Sequence, residues 1–177
     1  MRKIIIFIFI LLVLTFVFSC SKKSETAEDW INKAQLLWNG KQYSDPQKAI
    51  EYLDKAIRLQ PNNALTYNAR GSIYYDLYKE QRAIEDYNEA IRLKPDFVLA
   101  YYNRGNAYAN LRQYQSAIED YNQSIRLKPN NADAYNNRGL VYFNQRNKEL
   151  GCNDFKKACE LGNCTGSQEA KAKGLCR

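Results

Sequence analysis

The 177-residue sequence contains no histidine. That absence removes the commonest general base and the commonest metal ligand together. No C-x-x-C pair occurs, so neither a dithiol redox centre nor a zinc knuckle has its residue pattern. A glycine-rich phosphate loop and a paired-carboxylate constellation are also missing. The formal net charge is +7, yet no basic run or nucleic-acid-binding module gathers it, so nucleic acid is not an expected partner. What remains is ordinary for one modest folded domain: 25% charged and 45% hydrophobic residues.

One long apolar run is present, at the N-terminus. Arg2 and Lys3 precede Ile4–Leu14, and the run continues to Phe18 with only Thr15 intervening. At about fifteen residues it is short for a transmembrane helix, which needs about 20, and suits a signal peptide. Its end, Val17-Phe18-Ser19-Cys20, resembles the lipobox of bacterial lipoproteins. That resemblance implies removal of residues 1–19, lipidation of the Cys20 thiol and a lipidated tether over 20–26. Stable anchoring needs two or three acyl chains, each contributing about 0.8 kcal/mol per buried methylene. An uncleaved signal anchor and an ordinary secretory signal are the alternatives. All three put the domain outside the cytoplasm. Ser21 is not Asp, so the outer membrane is the expected address in a bacterial envelope.

The rest of the chain is a repeated text. RAIEDYNEAIRLKP at 82–95 returns as SAIEDYNQSIRLKP at 116–129, offset by 34 residues. Tyr67, Arg70, Gly71 and Tyr74 return as Tyr101, Arg104, Gly105 and Tyr108, then as Tyr135, Arg138, Gly139 and Tyr142. A fixed period in this range means stacked units, none able to bury its apolar face alone. Ala83, Ile84, Tyr87, Ala90 and Ile91 recur at helical spacing. Small residues allow two antiparallel helices to approach, and large ones fill around them.

The set is similar to the tetratricopeptide repeat (TPR) family. That family's pattern of aromatic, small, aromatic, Ala, aromatic, Ala and Pro is met by Tyr67, Gly71, Tyr74, Ala83, Tyr87, Ala90 and Pro95, and by their counterparts one unit on. The resemblance implies an all-α fold, a right-handed α-solenoid of four helix-turn-helix repeats at 27–63, 64–97, 98–131 and 132–165. The first unit is degenerate and carries three extra residues near Ser44-Asp45-Pro46. Residues 166–177 remain as a C-terminal cap. In the second unit the helices are predicted over about 64–77 and 80–93.

Arg70, Arg104 and Arg138 stand where the family is usually apolar, and Asp86, Asp120 and Asp154 accompany them. The first unit lacks both, with Lys33 and Tyr52. Their joint presence predicts an Arg–Asp pair in each of units two to four. A row of arginines for an anionic ligand is the alternative.

In the family, ligands lie along the concave face formed by the first helix of each unit. Carried over, the binding residues are Asn68, Ser72, Tyr75, Tyr102, Asn106, Asn110, Asn136, Leu140, Phe143 and Asn144. Side-chain amides both donate and accept, which suits an extended peptide backbone. A merely solvated face is the competing reading. The cations with which some family members clamp a C-terminal carboxylate are missing, since Asn68, Ser72, Asn103, Asp133 and Asn137 stand there.

Cys152, Cys159, Cys164 and Cys176 crowd into the last 26 residues. An even cluster in an exported domain reads as disulfides, with three connectivities open. Cys152 and Cys159 share one helix about 10.5 Å apart, too far to bond each other. A short helix over 167–173 folding back antiparallel would pair Cys152 with Cys176 and Cys159 with Cys164. A four-Cys zinc site is the alternative.

These features predict a membrane-anchored scaffold, without catalytic residues, metal or cofactor, binding a protein or extended peptide in its concave groove. The resemblance extends to small TPR lipoproteins of envelope assembly or secretion. The rivals are a homo-oligomeric structural protein of the envelope and, from another class, an accessory cell-wall enzyme.

Overall fold

The structure is a computed structural model that describes residues 24–176. The expected signal peptide, the expected lipidation site Cys20 and the first part of the expected tether lie outside the described residues. Among the described residues there are nine helices and no strand beyond one isolated bridge. They are α1 (Ala27–Gln35), α2 (Pro46–Leu59), α3 (Ala64–Asp76), α4 (Glu80–Leu93), α5 (Val98–Asn110), α6 (Tyr114–Leu127), α7 (Ala132–Asn144), α8 (Lys148–Glu160) and α9 (Thr165–Ala172). The first eight form four antiparallel pairs stacked in chain order, each packed on the next. The chain is an α-solenoid, and α9 closes its last face.

Local chemistry sets the helix ends. Thr26 and Asp29 form a capping box at α1, each satisfying a backbone N–H of the other. Asp45 caps α2 ahead of Pro46, Asn63 caps α3 and Asn147 caps α8. Between the two helices of units two to four the turn passes through Tyr78, Arg112 and Arg146, at φ of 56°, 59° and 63°. The next N–H then returns to the preceding helix, as Gln113 N–H does to the Tyr108 carbonyl at 2.9 Å.

In units two to four an aromatic ring packs against a glycine of the facing helix. A Cβ on Gly71 would meet Tyr87 Cε1 at 2.8 Å, and one on Gly105 would meet Tyr121 Cε1 at the same distance. Tyr87 and Tyr121 are consequently 1% exposed. Ala49, Ala83, Ala117 and Ala158 are fully buried at the helix contacts. Tight small-on-large packing of this kind makes the period visible in the sequence.

The three arginines are paired as expected. Arg70 reaches Asp86 through Nε at 2.9 Å and Nη2 at 2.6 Å; Arg104 on Asp120 and Arg138 on Asp154 repeat that geometry. Each arginine uses a third nitrogen to reach back to the preceding unit, to Asp54, Asn88 and Asn122. Tyrosine rings flank each guanidinium, as Tyr101 and Tyr108 do for Arg104 at 5.6 and 5.9 Å. Burial acts to lower the Arg70 pKa, but hydrogen bonds and charge from Asp86 and Asp54 outweigh it and hold the guanidinium above its ordinary value. The arginines therefore fasten units together, and these three do not form an open row for an anionic ligand.

The cap is a short helix, joined by Cys152–Cys176 and Cys159–Cys164 with Cα atoms 5.7 and 4.0 Å apart. All four thiols are consumed, which removes the zinc alternative.

Candidate functional site: a concave cleft across three units

The first helices of units two, three and four, α3, α5 and α7, line one face. A cleft of about 270 Å³ runs across it, walled by Tyr75, Asn106, Asn110, Leu140 and Asn144 together with Ala109, Tyr121, Asn137 and Val141. Five of the ten predicted groove residues thus meet in one place. Leu140 and Asn144 are exposed there, and Leu140 presents 44% of its surface. Tyr75 is half-buried; burial is the main cause that lifts its hydroxyl above the ordinary tyrosine value, and a hydrogen bond with Asn110 works against it.

The other five are committed to the scaffold. Asn68 and Asn136 are buried, at 7% and 8% exposure. Asn68 Oδ1 accepts from Asn103 Nδ2 at 3.2 Å, and Ser72 Oγ lies 3.4 Å from both Asn103 Nδ2 and the Tyr87 hydroxyl. Tyr102 accepts from Asn137 Nδ2 at 3.1 Å. Phe143 turns between α7 and α8 and stacks on Phe155 at 5.2 Å, because Gly151 opposite it has no Cβ to hold it out. Asn136 accepts the Gly166 N–H of the cap at 3.0 Å. The cap thus occupies the place where another unit would dock.

A polar relay that the sequence did not announce ties the floor together. Asn103 and Asn137 each reach back one unit, and Asn137 Nδ2 donates to Asn106 Oδ1 at 2.9 Å. The same oxygen accepts from the buried Tyr121 hydroxyl at 2.7 Å. The available signal was recurrence: both asparagines sit 34 residues apart, immediately before Arg104 and Arg138. The cleft therefore combines a rigid amide floor with an exposed rim, and its described lining residues are uncharged. Among the described residues no group of acidic and cysteine side chains could hold a metal ion, and no helix is long and apolar enough to cross a membrane.

Comparison with known families matches the geometry. A TPR repeat model covers residues 80–111 and 113–145, and a tetratricopeptide repeat model covers 27–63 and 132–161. A crystal structure of MamA protein is 31% identical, with a TM-score of 0.68, over 83% of this chain and 75% of that one. The chain belongs to the tetratricopeptide repeat family. A second MamA crystal structure is 29% identical, with a TM-score of 0.70, covering 90% of this TPR chain and 86% of that one. The first TPR of Spaghetti (RPAP3), bound to the HSP90 peptide SRMEEVD, is 27% identical with a TM-score of 0.65, over 70% of this chain and 96% of that one. A comparison with curated proteins finds no match. Proteins of this fold are typically non-enzymatic scaffolds that bind proteins or peptides.

Proposed function

We propose that this TPR protein is a membrane-anchored scaffold of the bacterial envelope that holds a protein partner along its concave face. The lipobox-like Val17–Cys20 supports anchoring through an acylated Cys20, with the outer membrane as its address and envelope assembly or secretion as its process. The observation that carries the binding role is the cleft across α3, α5 and α7, whose exposed amides Asn110 and Asn144 stand beside the exposed apolar Leu140. An extended segment needs that mixture: amides for its backbone and an apolar seat for a side chain. A related, shorter TPR structure holds an HSP90 peptide. An acidic tail of that kind is not the expected ligand here, because Asp133 and uncharged residues occupy the clamp positions.

The test is crosslinked capture from envelope membranes, comparing the native chain with a Tyr75→Ala, Leu140→Ala, Asn144→Ala variant. These three side chains leave the Arg–Asp ties and the amide relay intact. A partner captured by the native chain and lost by the folded variant supports the groove. Equal capture by both moves binding to another face.

A further inference from the structure

The insertion in the first unit builds a feature that the other units lack. Between α1 and α2 the chain folds into a small hairpin in which Trp38 pairs with Tyr43 and their rings sit 5.2 Å apart. Gly40, at φ +91°, makes its turn, and Asn39 Oδ1 accepts from the backbone N–H groups of Lys41 and Gln42 at 3.0 and 2.9 Å. Ser44 N–H returns to the Leu37 carbonyl at 2.8 Å. The hairpin is thus a built wall, and Tyr43 packs its body into the core under α1–α3.

Between this wall and the end of α3 lies a cavity of about 500 Å³. Three tyrosines line it, Tyr43, Tyr75 and Tyr78, along with Asp76, Lys41 and Asn110. Tyr78 is 85% exposed and is held at a left-handed φ of 56°. Asp76 is charged where the corresponding residues of the next two units are Asn110 and Asn144. Asp76 is exposed at the pocket, and its carboxyl makes no ion pair or side-chain hydrogen bond among the described residues; partial burial lifts it above the ordinary carboxylate range. Its charge also contributes to raising the hydroxyls of Tyr43 and Tyr75, after burial. Among the described residues Lys41 is the one cation on the wall, and it is not bridged to Asp76.

We propose that this pocket receives a lysine or arginine side chain of the segment bound along the concave face. The proposal rests on the groove reading, since Tyr75 and Asn110 belong to both walls. Ring faces attract a cation, and the Asp76 carboxylate supplies an opposite charge that no described side chain pairs. The same carboxylate repels an acidic side chain, so the pocket sets direction and register for a basic segment.

The test uses the whole chain in detergent micelles with ring-labelled tyrosines, titrated with Nα-acetyl-lysine methylamide and, separately, Nα-acetyl-norleucine methylamide. Asp76→Asn, Lys41→Ala and Leu140→Ala/Asn144→Ala variants follow. Asparagine already fills the equivalent place in two units, so Asp76→Asn is compatible with the fold. The expected result is saturable shifts at Tyr43, Tyr75 and Tyr78, with lysine about tenfold tighter than norleucine. Asp76→Asn should erase that preference, Lys41→Ala should strengthen binding, and the groove double variant should leave it unchanged. Equal binding of the two probes, or a lysine preference that survives Asp76→Asn, overturns the proposal. The probe needs no partner, so its failure and a failure of groove capture are read separately.

Discussion

Arg104 holds Asp120 by two parallel hydrogen bonds, Nε to Oδ2 at 2.8 Å and Nη2 to Oδ1 at 2.6 Å, while Nη1 reaches Asn88 of the preceding unit at 2.6 Å. Side-chain exposure is 19% for the arginine and 6% for the aspartate. Such a pair is costly to assemble and costlier to break, because the survivor is a buried charge. Arg104→Ala should therefore destabilise the fold by about 3–5 kcal/mol. Arg104→Met with Asp120→Leu should lose markedly less than either single change. Urea unfolding of the four chains checks both statements; additive single losses would show that the two side chains act independently.

Thr66 runs the other way. Its hydroxyl is buried, at 2% exposure, without a hydrogen-bond partner among the described residues. The equivalent residues one and two units on are Ala100 and Ala134, both fully buried. Thr66→Ala should stabilise the protein by about 1 kcal/mol, by removing an unpaired buried oxygen at a position that already accepts alanine. A rise in the urea midpoint is the expected reading, and a fall would point to an unrecognised partner.

The two disulfides should differ in weight. Cys152–Cys176 spans 24 residues and Cys159–Cys164 only 5. Loop-closure entropy gives about 3.5 kcal/mol for the first and about 2 kcal/mol for the second. Serine replacement of each pair, followed by thermal unfolding, should rank them in that order. The longer link should also govern proteolysis, since α9 is seated on Asn136 and tied at its far end by Cys176.

Alkali supplies a fourth test. Burial holds the hydroxyls of Tyr87 and Tyr121 un-ionised well above the usual tyrosine value. In the unfolded chain they ionise near pH 10. Above that pH the unfolded state sheds protons that the folded state keeps. Stability is therefore fully present below about pH 10 and falls as pH rises toward the folded values, at about 1.4 kcal/mol per pH unit for each tyrosine. Absorbance at the tyrosinate band should show a late, cooperative step coincident with loss of helix by circular dichroism. Smooth titration of all tyrosines with the helices intact would contradict the burial.

Much of this architecture was legible because the chain repeats it. Arg70, Arg104 and Arg138 change together with Asp86, Asp120 and Asp154, so one chain reports its own pairing. The cleft was legible only in part. Family positions locate the face, but they do not say which way each side chain turns. Phe143 turns inward because of Gly151, a neighbour across the helix pair rather than along the chain. Asn136 is consumed by Gly166, a close backbone approach that only a glycine permits, since a Cβ there would fall 2.6 Å from Asn136 Oδ1. The hairpin of the first unit left only a length signal, three extra residues, and its pairing of Trp38 with Tyr43 has no counterpart in the other units.

The most direct test of the central claim is site-specific photocrosslinking in intact envelopes. A photoreactive residue is placed singly at Leu140, on the cleft rim, or at Glu119, exposed on α6. A scaffold that works through its concave face gives a discrete adduct from position 140 and none from position 119. Adducts from 119 alone, or the same adducts from both positions, would contradict it.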